Sequence, residues 1–264
     1  MSSITWTLPE VASEREHVEL APWRAVEAQH FVSTLALVDS LEEQHELERL
    51  LDASKPPMPE SLHGLHWLLF TPFRYPPPPG GSRFRSPAQP GVLYGADEIR
   101  TACAELGYWR WRFLVDSPDL TAITARPQTV FRLSVSADAV DLRLEPFVRD
   151  RAAWTHPHDY AACHAFAETA RAAELGAIRY ESVRDPERGG CVAVLSPGAF
   201  ARREPIDAQT WLLSVTRSKV YWHRHSALDA SQYEFSFAEP TPDRTPEAAR
   251  RSVSSTSRRR ARSP

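Results

Sequence analysis

Three arginines, two tyrosines and a glycine pair share the segment FRYPPPPGGSRFRSPAQPGVLYGA, residues 73–96, with six prolines. Each proline fixes φ at about −65°, and Gly80-Gly81 lets the backbone turn where other residues could not. A loop this stiff holds its cations still. Guanidinium groups fixed in this way suit bidentate contact with phosphate oxygens, at a lower ordering cost than flexible lysines. The segment contains no lysine. It is not a Walker loop, because neither G-x-x-x-x-G-K-[ST] nor G-x-G-x-x-G occurs.

Arg74 and Arg83 are therefore the candidate anion contacts. Tyr94 closes the apolar run Val92-Leu93-Tyr94, and Glu105 follows inside the next helical segment. A strand-end ring and a helical carboxylate can form one pocket wall, the ring for stacking and the carboxylate as a fixed negative charge. They also fit a core tyrosine and a solvated glutamate, and spacing leaves both readings open. Ser182 sits in YESVR without a G-x-S-x-G elbow, so it does not read as a nucleophile. His156, His158 and Asp159 in HPHDY lack a further ligand cluster; no metal is expected, and Asp159 reads as a helix cap. The alternation of rings and arginines in YWRWRFLV, residues 108–115, would suit single-stranded nucleic acid on a strand, but on a helix it spreads around the axis into the core.

These groups need elements to hold them. Val26–Asp52 has apolar residues at helical spacing, with Ser40 and Glu43 in capping-box relation and a stop before Lys55-Pro56-Pro57. Asp97–Val115 reads as a helix weakened only at Gly107, and residues 159–175 as another, with Gly176 at its C-terminal cap. Residues 129–136 and 139–144 alternate and read as a hairpin. AIRYESVR, CVAVLSP, TWLLSVTR and KVYWHR read as short strands. Helices and strands mix without strict βαβ alternation, so the class predicted is α+β.

At 264 residues and 42% hydrophobic, the chain can bury one substantial core with appendages. No apolar run is long enough for a membrane helix and no signal core opens the chain, which points to a soluble, cytoplasmic protein. Cys103, Cys163 and Cys191 are odd in number and scattered, and read as buried thiols. Residues 241–264 carry seven arginines against two acids, so this tail is +5 and the rest of the chain −8 within an overall −3. Its Pro, Ser and Arg content predicts a disordered, solvated end, with contact to nucleic acid through phosphate attraction as the alternative.

Five motifs, LLFTPFRY, GSRF, GVLYGA, ACAELGYWR and IRYESVRDPERGG, resemble in type and order those of the RES domain over residues 60–225. The sequence departs from that pattern at Arg83-Phe84-Arg85, where many relatives have Arg-Trp-Asn, and in its N-terminal extension. The resemblance implies an ADP-ribosyltransferase-like mixed sheet with flanking helices, and a toxin of a toxin–antitoxin pair that breaks the nicotinamide–ribose bond of NAD, by phosphorolysis. It implies Arg74, Tyr75, Arg83, Tyr94 and Ser182 as contacts for NAD or phosphate, and Glu105, Arg83 and Ser182 as the catalytic set. NAD is then a substrate and inorganic phosphate a co-substrate, with no separate cofactor and no metal. The partner implied is an antitoxin bearing a helix-turn-helix domain. The organisation expected is a helical extension over 1–59, a catalytic domain over 60–235 and the tail over 236–264. Protein mono-ADP-ribosylation, NAD hydrolysis, and a non-catalytic binding module with a basic tail are the alternatives.

Overall fold

Burial alternates along the short strands, and the alternation decides which layer each face meets. The protein, a computed structural model describing residues 5–28, 38–77 and 79–238, opens with α1 (Leu8–Ser13), β1 (Glu16–Leu20), β2 (Trp23–Glu27), α2 (Leu41–Ser54), α3 (Trp67–Arg74), β3 (Leu93–Ala96) and α4 (Ile99–Val115). It continues with β4 (Ala122–Arg132), β5 (Val135–Asp141), α5 (Arg151–Trp154), α6 (Ala161–Ala172), β6 (Ala177–Glu181), β7 (Gly190–Val194), β8 (Asp207–Thr216), β9 (Val220–Arg224) and β10 (Gln232–Phe235). In β7, Val192 and Val194 enter one apolar cluster with Leu68 and Leu69 of α3, while Cys191 and Ala193 face the opposite cluster with Phe166 and Ala170 of α6. That is the period of two a doubly covered strand requires.

All ten strands of the described residues form one mixed sheet in the order β1-β5-β6-β7-β3-β2-β4-β8-β9-β10, antiparallel except for β5 with β6. The fold is α+β, as expected. The expected hairpin over 129–144 does not form: β4 pairs with β2 and β8, and β5 with β1 and β6. One register runs through both arms, from Glu16↔Ala139 and Leu20↔Val135 to Trp23↔Arg132 and Glu27↔Gln128. Residues 16–27 are thus one bent strand laid along another; the bend between β4 and β5 falls at Leu133-Ser134, while Ala137-Asp138, the polar link that reads locally as a turn, lies inside β5 and pairs with Val18 and His17. Pairing with a distant strand outweighs the local turn signal.

Residues 1–59 are correspondingly more than a helical extension, because β1 and β2 lie in the sheet. The second half of that segment is helical as read. Ser40 Oγ accepts the Glu43 N–H at 3.1 Å, and the Glu43 carboxylate accepts the Asp39 N–H at 2.9 Å. The expected helix start at Val26 is strand instead, residues 29–37 lie outside the described residues, and so do 239–264 of the tail. No helix among the described residues is long and apolar enough to cross a membrane.

Gly176 is not the cap of α6. Glu174 takes the left-handed conformation, at φ 59°, and the Leu175 N–H reaches the Ala170 carbonyl at 3.0 Å while the Glu174 N–H reaches Arg171 at 3.0 Å. This is a Schellman closure without glycine. Gly176 instead sits where a Cβ would come within 2.6 Å of the Ala137 Cβ. Gly107 has a similar reason: α4 lies so close to β9 that a Cβ there would be 3.0 Å from Val220. The helix accepts a weaker former in order to pack Tyr108 and Trp111 against Trp222 and Phe235.

Candidate active site

Two apolar cores meet at β2. One gathers α5, α6 and the inner faces of β6 and β7; the other gathers α4, β8, β9 and β10, and Trp23 and Ala25 of β2 abut both. At this seam lies a cavity of about 500 Å³, walled by Trp23, Arg24, Ser82, Arg83, Tyr94, Glu105, Trp109, Tyr160, Tyr180 and Arg184. A volume in this range suits a large small-molecule ligand.

The stiff loop delivers Arg83 through a tight turn. Ser82 and Arg85 exchange backbone hydrogen bonds at 2.8 and 3.0 Å, which puts Arg83 and Phe84 at the tip. Gly81, at φ 70°, has Arg85 O 2.3 Å from where a Cβ would stand, so only glycine closes this turn. Phe84 is buried against Tyr180, their centroids 4.9 Å apart. Arg83 is buried beside the cavity, where its Nη1 donates to the carbonyls of Trp154 at 2.7 Å and His156 at 3.0 Å. Arg85 turns back and donates to the carbonyls of Tyr75, Gln89 and Pro72.

Tyr94 ties this turn to the sheet. Its hydroxyl bonds Ser82 Oγ at 2.8 Å and accepts the Phe84 N–H at 2.9 Å, and burial pushes it up to about 12. Its ring still lines the cavity. Its carbonyl accepts Nη1 of Arg24, from β2, at 2.7 Å. Arg24 Nε is buried with no partner among the described residues, and burial lowers the guanidinium to about 10, so it stays cationic at neutral pH.

Glu105 projects from α4 into the same space. Burial raises its pKa, opposed by the Ser182 hydroxyl and by the charges of Arg184 and Arg83. Ser182 is fully buried and its bonding capacity is spent: Oγ donates to Glu105 at 2.5 Å and accepts the N–H groups of Arg184 at 3.2 Å and Asp185 at 3.0 Å. The expectation that Ser182 contacts substrate therefore needs correction. It has no free proton or exposed surface, and what it does is orient Glu105.

Arg83, Tyr94 and Glu105 thus share one cavity, with Ser182 behind the carboxylate. Arg74 and Tyr75 do not line it. Arg74 Nε donates to the Pro56 carbonyl at 2.8 Å, and Tyr75 offers its carbonyl to Arg85. The cations the sequence reading missed are Arg24 and Arg184. Arg184 sits two residues after Ser182, inside the motif IRYESVRDPERGG, so a signal for it was present; Arg24 stands on a plain strand and had none. Asp159 does serve the start of α6, accepting the Ala161 N–H at 2.9 Å, and His156 Nδ1 accepts N–H groups of His158 and Asp159. Of the rings in YWRWRFLV, Tyr108 and Trp111 enter the core, but Trp109 and Phe113 stay 52% and 55% exposed.

Three arginines, 24, 83 and 184, therefore face one cavity with a single carboxylate. Their hydrogen-bond partners are backbone carbonyls and the Tyr160 hydroxyl. Carbonyls orient a guanidinium but do not neutralise it. One carboxylate balances only one of the three charges, and buried charge in excess is costly, so the site is built to receive an anion. Five aromatic rings around it favour a ligand that also carries flat heterocycles.

Comparison with known proteins agrees with the motifs. No curated protein matches the chain. Among solved structures, the crystal structure of the M.tuberculosis MbcT-MbcA toxin-antitoxin complex is similar at 12% identity with a TM-score of 0.44, covering 77% of this chain and 87% of that chain. A family model described as RES domain matches residues 58–216, more than half of the chain, and so the protein belongs to the RES domain family.

Proposed function

We propose that this protein is the toxin of a toxin–antitoxin pair and that it breaks the nicotinamide–ribose bond of NAD, passing ADP-ribose to inorganic phosphate. One observation carries the reading: three guanidiniums and only one carboxylate among the described residues, the carboxylate oriented by Ser182, meet in an aromatic cavity. NAD matches that inventory with a pyrophosphate, two heterocycles and a labile N-glycosidic bond. Arg24 and Arg83 hold the pyrophosphate, and Tyr94 offers its ring to nicotinamide.

In the step proposed, an oxygen of hydrogen phosphate supplies the electron pair for a new bond to ribose C1″. The C1″–N bond breaks and its pair returns to the pyridinium nitrogen, so nicotinamide departs neutral and no proton has to move. The sugar passes through an oxocarbenium-like state. Glu105, aimed by Ser182, stabilises that positive charge, and oriented charge in a water-poor site is worth several kcal/mol. An enzyme that drains NAD must be silenced in its own cell, and the partner we infer is an antitoxin with a helix-turn-helix domain, acting in the cytoplasm.

Proton NMR of purified protein with NAD, with and without phosphate, tests this. Free nicotinamide and ADP-ribose 1″-phosphate only when phosphate is present support the reading. Equal release without phosphate means a glycohydrolase, labelled protein means an ADP-ribosyltransferase, and no release means a binding module.

Two further results are expected. Because the carboxylate is the working form and burial raises its pKa, activity falls with decreasing pH on a limb above the ordinary glutamate value of 4.5. Ser182→Ala removes a bond that favours the charged form, so it moves that limb to higher pH; a pH–rate profile unchanged by Ser182→Ala contradicts the arrangement. Arg24→Gln raises KM for NAD about tenfold or more, since charge-assisted bonds to phosphate are lost, whereas Arg74→Gln leaves it near wild type. Steady-state kinetics on the two variants decides between them.

A further inference from the structure

Arg83 and Arg184 both hold the segment 154–157, but they meet one tyrosine at different places. The Arg83 guanidinium lies over the face of Tyr160, 4.7 Å from the ring centroid. Arg184 reaches the same residue at its hydroxyl, with Nη2 at 3.3 Å, and donates to the Pro157 carbonyl at 2.7 Å. Tyr160 therefore separates two cations. Arg24 belongs with Arg83, because it bonds the carbonyl of Tyr94, whose hydroxyl ties the turn carrying Arg83.

Arg184 has a different neighbourhood. Its guanidinium carbon sits 3.9 Å over the Tyr108 ring and 5.6 Å from that of Trp109, two residues of the helix that carries Glu105. It is only 8% exposed, its protein hydrogen bonds are to a carbonyl and a phenol, and it lines the cavity. Its own N–H is taken by Ser182, the residue that aims Glu105. A buried guanidinium held by this many contacts, beside the Glu105 carboxylate and with no ion pair among the described residues, is a preformed place for a second anion.

We propose that Arg184, steadied by Tyr160 and the Tyr108 ring, forms an oxyanion subsite separate from the Arg24 and Arg83 pair and that it takes the phosphate acceptor. This rests on the phosphorolysis reading above and assigns its second substrate. The physical need is specific. A phosphate dianion approaching ribose must pass close to the Glu105 carboxylate, and in a cavity of low dielectric that repulsion is severe. A neutral water molecule meets no such barrier. Arg184 offsets it, and so makes phosphate, not water, the acceptor.

Initial rates of nicotinamide release measured against phosphate at saturating NAD, and against NAD at saturating phosphate, test the assignment. Arg184→Gln is expected to raise KM for phosphate at least about tenfold, with KM for NAD within about threefold of wild type. Phosphate-independent release should become the larger share of its turnover. Tyr160→Phe, which removes only one hydroxyl, is expected to move KM for phosphate in the same direction by a few-fold and serves if Arg184→Gln fails to fold. A rise confined to KM for NAD overturns the proposal. If wild-type release proves independent of phosphate, the phosphorolysis reading falls. The subsite is then read directly by phosphorus NMR titration of inorganic phosphate into Glu105→Gln with and without Arg184→Gln. Binding lost with the arginine supports the subsite, and binding absent or unchanged ends it.

Discussion

Glu105→Gln is expected to slow nicotinamide release about 10²- to 10³-fold, the loss seen when one group facing a developing charge is removed, while the protein melts at the same temperature or higher at neutral pH. The two halves of this result have one cause. Burial raises the Glu105 pKa above its unfolded value, so the folded state favours the protonated form. That contribution to stability is full below the unfolded pKa and is lost as pH rises through the folded one, so at neutral pH the charge works against folding. Glutamine keeps an oxygen to accept the Ser182 proton and drops the charge. Thermal unfolding and an NMR assay on the same preparation check both halves, and full turnover by the variant removes Glu105 from the mechanism.

Asp185→Ala is expected to cost about 3 kcal/mol of stability, as breaking a buried charge pair does. Asp185 is 3% exposed and is the acceptor for three groups: Nη1 of Arg100, Oγ1 of Thr101 at 2.7 Å and the Glu187 N–H at 3.1 Å. Arg100 and Thr101 stand in the first turn of α4, so this aspartate pins the loop of Ser182 and Arg184 onto the helix of Glu105. Gly189 permits the approach, since a Cβ there would lie 2.1 Å from Thr101 Oγ1. Arg100 keeps Glu187 at 3.0 Å after the substitution, which places the loss at the lower end of the range for such pairs. Urea unfolding measures it. Asp185→Asn, which retains acceptor oxygen, should lose less, and an unchanged midpoint for the alanine variant means that the clamp is not a structural tie.

What could be read from the sequence follows the range of the interactions involved. Arg83, Tyr94 and Glu105 lie close in sequence on a loop, strand and helix in succession, and their meeting in one cavity follows from local chain geometry. Arg74 looked equivalent to Arg83 because both stand in the same proline-rich stretch. Yet it ends α3 and reaches back to Pro56, while only the turn at 82–85 enters the site. Arg24 takes its place through a bond spanning 70 positions, and no spacing rule reaches that far. The missing hairpin has the same origin, since alternation marks a strand but does not name its partner. Helices were read better because their signals are local: Ser40 and Glu43 at the start of α2, and prolines just after its end.

The bent strand of residues 16–27 is made long before most of the residues that pair with it. Its partners include Arg132, whose side chain reaches Ala21 across 111 positions, and β3 waits for β7 before its other side is paired. Closing loops of that length is slow, and strand pairing of high contact order is reached late. The first strand made lacks nearly all of its pairing until residues 122–141 have followed. Arg24 leaves the exit tunnel early, but the cavity it serves assembles only after Ser182 and β7 have followed. The cavity is therefore complete only once most of the chain has been synthesised.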